Sequence, residues 1–212
     1  MPYNFITIEG NIGAGKTSLA TMLANDLNGN LILEQYADNP FLPSFYKNPK
    51  QFAFPLELFF MAERYQQLKD LQSSSNLFQS FTVSDYLFAK SILFARVNLE
   101  PEEFKLFQRL VKVISFPFRE PDLLLYLHLP VELLLKNISK RGRDYEKNIS
   151  ANYLLKIQKA YFDFFKTKPQ MRILVVDVSK IDFIKSKKDY DLILPFLDMH
   201  LEAGTHFVTP RS

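Results

Sequence analysis

Ile6-Thr7-Ile8-Glu9-Gly10-Asn11-Ile12-Gly13-Ala14-Gly15-Lys16-Thr17-Ser18 is the stretch that decides the fold. Gly10, four intervening residues, Gly15, Lys16 and Thr17 satisfy the spacing of a phosphate-binding P-loop. Glycines there let successive backbone N–H groups turn inward around an anion, and a following helix points its positive end at the same place. Lys16 is then placed to reach the β- and γ-phosphates of ATP, and the Thr17 hydroxyl to hold Mg²⁺. The motif needs a strand before it and a helix after it. Tyr3 to Ile8 is apolar and partly β-branched, and Ser18 to Leu27 carries Leu19, Leu23, Ala24 and Leu27 at helical spacing. The loop from Gly10 through Asn11, Ile12, Gly13, Ala14 and Gly15 to Lys16, Thr17 and Ser18 is therefore the expected ATP-phosphate site.

Outward from this loop, the chain alternates short apolar runs with helical stretches. Strands are expected at 31–33, 78–84, 123–129 and 173–176, making five with the first. Helices are expected at about 54–71, 86–95, 102–113, 131–139, 152–165 and 190–201, with a polar linker at 72–76 and a loose tail at 202–212. This pattern predicts one α/β domain over residues 1–212, in three layers with a central parallel sheet of five strands. Ligands of such sheets sit beyond the carboxyl ends of the strands, and two acids fall there. Glu34 follows the second strand, as a general base for a hydroxyl or as a solvated loop acid. Asp85 follows the third, as a Mg²⁺ ligand in the manner of a Walker B acid or as a helix cap. Glu57 and Arg64, seven residues apart, share a face of one helix with Phe60 between them, and either satisfy neighbouring groups in the protein or read a polar ligand edge. Lys140, Arg141 and Arg143 around Gly142 form a charged turn at about 140–150, suited to closing over phosphates as a lid or to lying solvated between helices.

Composition narrows the class. A formal net charge of +3 with no basic run gives no reason to propose a nucleic-acid tract or a membrane patch. The absence of cysteine excludes disulfides, thiolate metal sites and cysteine nucleophiles, and suits a reducing cytoplasm. No apolar run approaches about 20 residues, so a soluble cytoplasmic protein is expected. The 21 phenylalanines against no tryptophan place most rings in the core, with a few in the first half among polar residues where a planar ligand could be held.

Taken together, these pieces resemble the deoxyribonucleoside kinase family, in its bacterial purine-nucleoside and its animal deoxycytidine and mitochondrial branches. The likeness runs from Tyr3 to about Phe165, with Gly10-Asn11-Ile12-Gly13 more specific than the generic loop. The resemblance implies Glu34 as general base for the nucleoside 5′-hydroxyl, with Tyr46 and Glu146 on the sugar 3′-hydroxyl. It places Glu57 where the family usually has a base-reading glutamine, Arg64 near the base, and Arg141 and Arg143 in the lid. It further implies a small deoxyribonucleoside substrate, ATP with Mg²⁺, and a homodimer. Two departures stand out. After the third strand the family carries an acid followed by arginine, whereas Asp85 is followed here by Tyr86, and Lys90 one turn on is the candidate substitute. Glutamate at Glu57 only accepts hydrogen bonds when ionised, which favours bases presenting N–H groups, purine or cytosine. The rival activities are a thymidylate-type monophosphate kinase, which should need an arginine where this chain has Glu34, and a non-catalytic nucleotide-binding relative suggested by Tyr86.

Overall fold

A computed structural model of the chain describes residues 1–35, 39–73, 81–114 and 119–210. The strands are β1 (Phe5–Gly10), β2 (Asn30–Ile32), β3 (Thr82–Ser84), β4 (Leu123–His128), β5 (Arg172–Asp177) and β6 (Gly204–Val208). They form one parallel sheet in the order β2-β3-β1-β4-β5-β6. From central β1 the chain first builds one flank (β2, β3) and then the other (β4 to β6), so the P-loop leaves β1 where the winding reverses. That is the switch point at which open α/β sheets take their ligands.

Alternation along β4 explains the layers. Leu123, Leu125 and Leu127 join a core with Leu19 and Leu23 of α1 (Lys16–Asp26) and Leu134 and Ile138 of α6 (Val131–Arg141). Leu124 and Tyr126 point the other way, onto Ile157, Tyr161 and Phe165 of α7 (Ala151–Lys166) and Leu93 of α4 (Lys90–Asn98). Both faces of the strand are covered, and its sequence accordingly reads as an unbroken apolar run. A third apolar cluster stands at the carboxyl ends of the strands. It joins Phe45 of α2 (Leu42–Lys47), Ala53, Leu56 and Met61 of α3 (Pro49–Ser73), Ala95 of α4 and Phe107 of α5 (Pro101–Ile114).

Among the described residues the sheet has six strands, not five, and the sixth lies in the segment expected to be a loose tail. β6 pairs along β5 from Arg172↔Gly204 to Val176↔Val208, with Phe207 stacked on Phe162 at 6.4 Å between centroids. A ladder of backbone hydrogen bonds holds this edge, which side-chain periodicity does not report. The helix expected over 190–201 is instead two short ones, α8 (Lys187–Asp191) and α9 (Leu194–Leu197), with Pro195 in the first turn of the second, where its missing N–H is tolerated. α4 begins at Lys90, not Tyr86. α2 is a helix ahead of the one expected at about 54–71, and α3 starts at Pro49, so Pro55 sits inside it. Most of the expected linker and the first part of the strand expected at 78–84 lie outside the described residues. Truncation after Glu202 should lower the melting temperature by about 2–8 °C, the scale of one to two kcal/mol in a chain of this size. An unchanged melting temperature would show that β6 contributes nothing.

Candidate active site

Two loop glycines are fixed by backbone geometry. Gly10 (φ +155°) passes so close to β4 that an added Cβ would stand 2.9 Å from the Leu127 carbonyl oxygen, and Gly15 (φ +91°) caps α1 in the left-handed region. Neighbouring helices set the shape of the rest. Asn11 donates from Nδ2 to the Leu154 carbonyl in α7 (2.8 Å) and accepts the Ile12 N–H on Oδ1 (2.8 Å). Asn137 of α6 donates to the Gly13 carbonyl (2.9 Å), and Lys16 folds back to donate to the Asn11 carbonyl (3.0 Å). Burial, followed by the charge of Lys90, pulls the Lys16 ammonium down to about 8.

The β2 and β3 ends meet this loop through Asp85. Its Oδ2 accepts from Thr17 Oγ1 (2.5 Å) and its Oδ1 from the Glu34 backbone N–H (2.7 Å). The Glu34 carboxylate is clamped in turn. Oε1 accepts from Arg64 Nε (2.8 Å) and Nη2 (2.5 Å), and Oε2 from Lys90 Nζ (2.7 Å). Burial works against the Glu34 charge, but Lys90 and Arg64 outweigh it and hold the carboxyl down to about 2. Arg64 also donates to Ser91 Oγ (2.9 Å) and lies 5.0 Å from the Phe60 ring centre. Sequence reasoning placed Arg64 beside a base; its direct partner in the structure is Glu34.

Tyr86, where the resemblance implies an arginine, is buried, and its hydroxyl donates to Gln67 Oε1 (2.6 Å). Gln67 in turn donates to the Leu33 carbonyl (3.0 Å). Tyr86 therefore braces the backbone that presents Glu34, while Lys90 pairs with the Glu34 carboxylate itself. A buried Glu9 on β1 completes the arrangement. It accepts the Leu87 N–H (2.9 Å) and the Tyr161 hydroxyl (2.7 Å), pinning the turn into α4 and helix α7 to the strand that bears the P-loop.

Glu57 lies deeper in the same cavity, on α3, and is buried. Asn98 Nδ2 at the end of α4 donates to its Oε1 (2.6 Å), while Oε2 has no partner among the described residues. Burial pushes this carboxyl up to about 7. Leu42, Phe45, Phe60 and Phe94 line the cavity around it. On the opposite side Glu146 accepts from Arg141 Nε (3.1 Å) and Nη2 (2.5 Å) on one oxygen and from Arg143 Nη1 (3.3 Å) on the other, and Tyr46 stacks on Tyr145.

One cavity thus collects Lys16, Thr17, Glu34 and Asp85, then Glu57 and Arg64, then Tyr46, Arg141, Arg143 and Glu146. Of the P-loop, only Ile12, Lys16 and Thr17 line it. Gly10, Asn11, Gly13, Ala14, Gly15 and Ser18 form the rest of the turn and the start of α1. Asn98, Ser91 and Gln67 were not foreseen. The spacing of Lys90, Phe94 and Asn98, each four residues apart, did mark one face of α4 as carrying polar groups at both ends of an aromatic ring.

A parallel sheet with a P-loop at its switch point, joined to a carboxylate-lined cavity, defines a phosphotransferase class, and comparison with known proteins sharpens it. The family model "Deoxynucleoside kinase" matches residues 6–201. The chain is 35% identical over 193 residues to the deoxyguanosine kinase of Bacillus subtilis (strain 168), covering 89% of this chain and 93% of that protein. It is 29% identical over 213 residues to the deoxyadenosine kinase of Lactobacillus acidophilus, covering 92% and 95%. A deoxyadenosine kinase structure from M. mycoides with bound dATP superposes with a TM-score of 0.79 at 23% identity, over 93% of this chain and 100% of that one, a likeness of fold. The chain belongs to the deoxynucleoside kinase family and is a kinase of that kind. No helix among the described residues is long and apolar enough to cross a membrane.

The raised carboxyl of Glu57 carries a stability signature. Its folded value near 7 lies above the usual 4.5, so the folded state holds a proton the unfolded chain has released, and stability falls as pH rises from about 4.5 to about 7. Glu57→Gln removes this titration. Its unfolding free energy relative to the parent should rise across that window by on the order of 3 kcal/mol, as measured by urea unfolding at either end. Parallel curves for the two proteins would contradict it.

Proposed function

We propose that the chain transfers the γ-phosphoryl group of ATP to the 5′-hydroxyl of a purine deoxyribonucleoside, deoxyguanosine foremost. The observation that carries this reading is Glu34, an ionised carboxylate held beside Lys16, Thr17 and Asp85 at the head of a cavity whose far end presents a buried carboxyl with an open acceptor. Glu34 accepts the hydroxyl proton as the O5′–P bond forms and the bond to the β-phosphate oxygen breaks, releasing ADP. A carboxylate held near 2 is a weak base, which suits a loose phosphoryl transition state in which positioning outweighs early proton removal. Lys16 and the loop N–H groups hold the triphosphate.

Thr17 and Asp85 bring a hydroxyl and a carboxylate together, a hard-oxygen pair of the kind Mg²⁺ takes alongside phosphate oxygens and water. Bound there, Mg²⁺ supplies charge neutralisation on the phosphates. Arg141 and Arg143 close over the phosphoryl group as a lid at about 140–150, re-pairing from Glu146, and Tyr46 with Glu146 holds the 3′-hydroxyl. Lys90 takes the role of the missing family arginine. A monophosphate acceptor fits less well, because Arg64 and Lys90, the cations beside Glu34, are both engaged by its carboxylate.

The rest of the proposal is a single domain over residues 1–212, working in the cytoplasm as a homodimer. The lack of cysteine suits that compartment. A groove between α4 and α7, with apolar walls of Ile92, Val97, Ala160 and Phe164 among the charged Arg96, Lys156, Lys159, Asp163 and Lys168, is the face proposed for a second copy.

Steady-state rates with Mg-ATP against the four deoxyribonucleosides and thymidine monophosphate test the reading. Turnover should be highest with deoxyguanosine, absent with the monophosphate and abolished by Lys16→Ala. Glu34→Gln should lower kcat by about 10²–10⁴-fold with little change in KM. Full turnover in that variant would remove Glu34 from the base role.

A further inference from the structure

Glu57 and Asn98 form the one place in the cavity where a buried carboxyl keeps an unpartnered oxygen, among the described residues. Asn98 Nδ2 donates to Oε1 at 2.6 Å, and an amide N–H needs an acceptor there whether or not the carboxyl carries a proton. The donor therefore makes Oε1 the carbonyl-like oxygen in the neutral form and directs the proton to Oε2. An ionised carboxyl so fixed offers two acceptors, matching the adjacent N1–H and N2–H donors of guanine. The neutral carboxyl offers an acceptor on Oε1 next to a donor on Oε2, matching the N6–H donor and N1 acceptor of adenine.

We infer that Asn98 is a specificity-determining residue, which by anchoring Oε1 lets one proton on Glu57 Oε2 decide between a guanine and an adenine edge. The inference rests on the proposed base-reading role of Glu57 and adds to it a positioning residue and a proton. The neighbourhood supports a titration close to neutrality. Burial raises the Glu57 carboxyl to about 7, opposed by the Asn98 hydrogen bond and by Arg64 of α3, while Glu34 after β2 raises it and Lys90 of α4 lowers it. Tyr46 of α2 and Tyr153 of α7 face the same cavity and stay neutral, since burial pushes both hydroxyls upward. An unpaired buried polar atom is costly unless a ligand completes it, so the matching edge is selected and the mismatched edge rejected.

The test is the ratio of kcat/KM for deoxyguanosine to that for deoxyadenosine, measured from about pH 6 to about pH 8, where neither base changes charge. Taking a ratio divides out Lys16, Glu34 and ATP, which both substrates share. The parent ratio should rise at least tenfold across the range. Asn98→Ala should move the midpoint to higher pH, because the lost hydrogen bond favoured the charged form, a shift that a merely structural residue would not produce. Glu57→Gln should give a flat profile displaced towards deoxyadenosine. A flat parent profile, with Glu57→Gln still changing the ratio, would overturn the proton-coupled inference and leave base reading by Glu57 standing. A ratio unchanged by Glu57→Gln would overturn base reading itself. An unmoved midpoint in Asn98→Ala would overturn the role of Asn98. Calorimetric binding of the two nucleosides at the two ends of the range makes the same comparison for a variant that turns over too slowly.

Discussion

The ion-paired Glu34 carboxylate is the interaction on which the active-site end of the molecule depends. Arg64 reaches it from α3 and Lys90 from α4, while Asp85 takes its backbone N–H and, with its other oxygen, the Thr17 hydroxyl. Four stretches distant in sequence, those of Thr17, Glu34, Arg64 and Asp85 to Lys90, meet at two carboxylates. Removing one partner leaves a buried charge uncompensated, a change that costs several kcal/mol in comparable buried pairs. This interdependence fixes the distance between the phosphate loop and the acceptor pocket, which phosphoryl transfer requires more than it requires strong acids or bases.

Three carboxyl groups in one cavity differ because their surroundings differ. Glu34 has two cations and stays charged, whereas Glu57, with a single amide donor among the described residues, is pushed up to about 7 by burial, and Glu146 is ion-paired with two arginines. Environments that push like groups apart are how one fold separates roles among identical side chains. Tyr86 belongs to the same logic. Its hydroxyl holds Gln67, and Gln67 holds the Leu33 carbonyl, so Tyr86 stabilises the backbone before Glu34.

The fold was largely legible because its signals are local. Glycine spacing announced the P-loop, and continuous apolar runs announced buried parallel strands such as β4. β6 was missed because Gly204–Val208 is held by backbone pairing to β5, with Phe207 mostly exposed, and hydrogen bonds along an edge leave no apolar pattern. The start of α4 was misplaced because Leu87 gives its N–H to Glu9, a partner 78 residues away that no window around Leu87 contains. At the site, the sequence could put Glu34 and Asp85 at strand ends and Glu57 on a face of α3. It could not show that Arg64 pairs with Glu34, nor that Asn98 meets Glu57 from 41 residues away. Such pairings are decided only when α3 lies against the end of β2 and against α4.

The most direct test of the account is a crystal structure of the chain with deoxyguanosine and a non-hydrolysable ATP analogue. The account predicts the 5′-hydroxyl within hydrogen-bond reach of Glu34, the γ-phosphate between Lys16 and that hydroxyl, and the guanine N1–H on Glu57 Oε2. A nucleoside whose 5′-oxygen lies away from Glu34, or a base that leaves Glu57 Oε2 unpartnered, would contradict it.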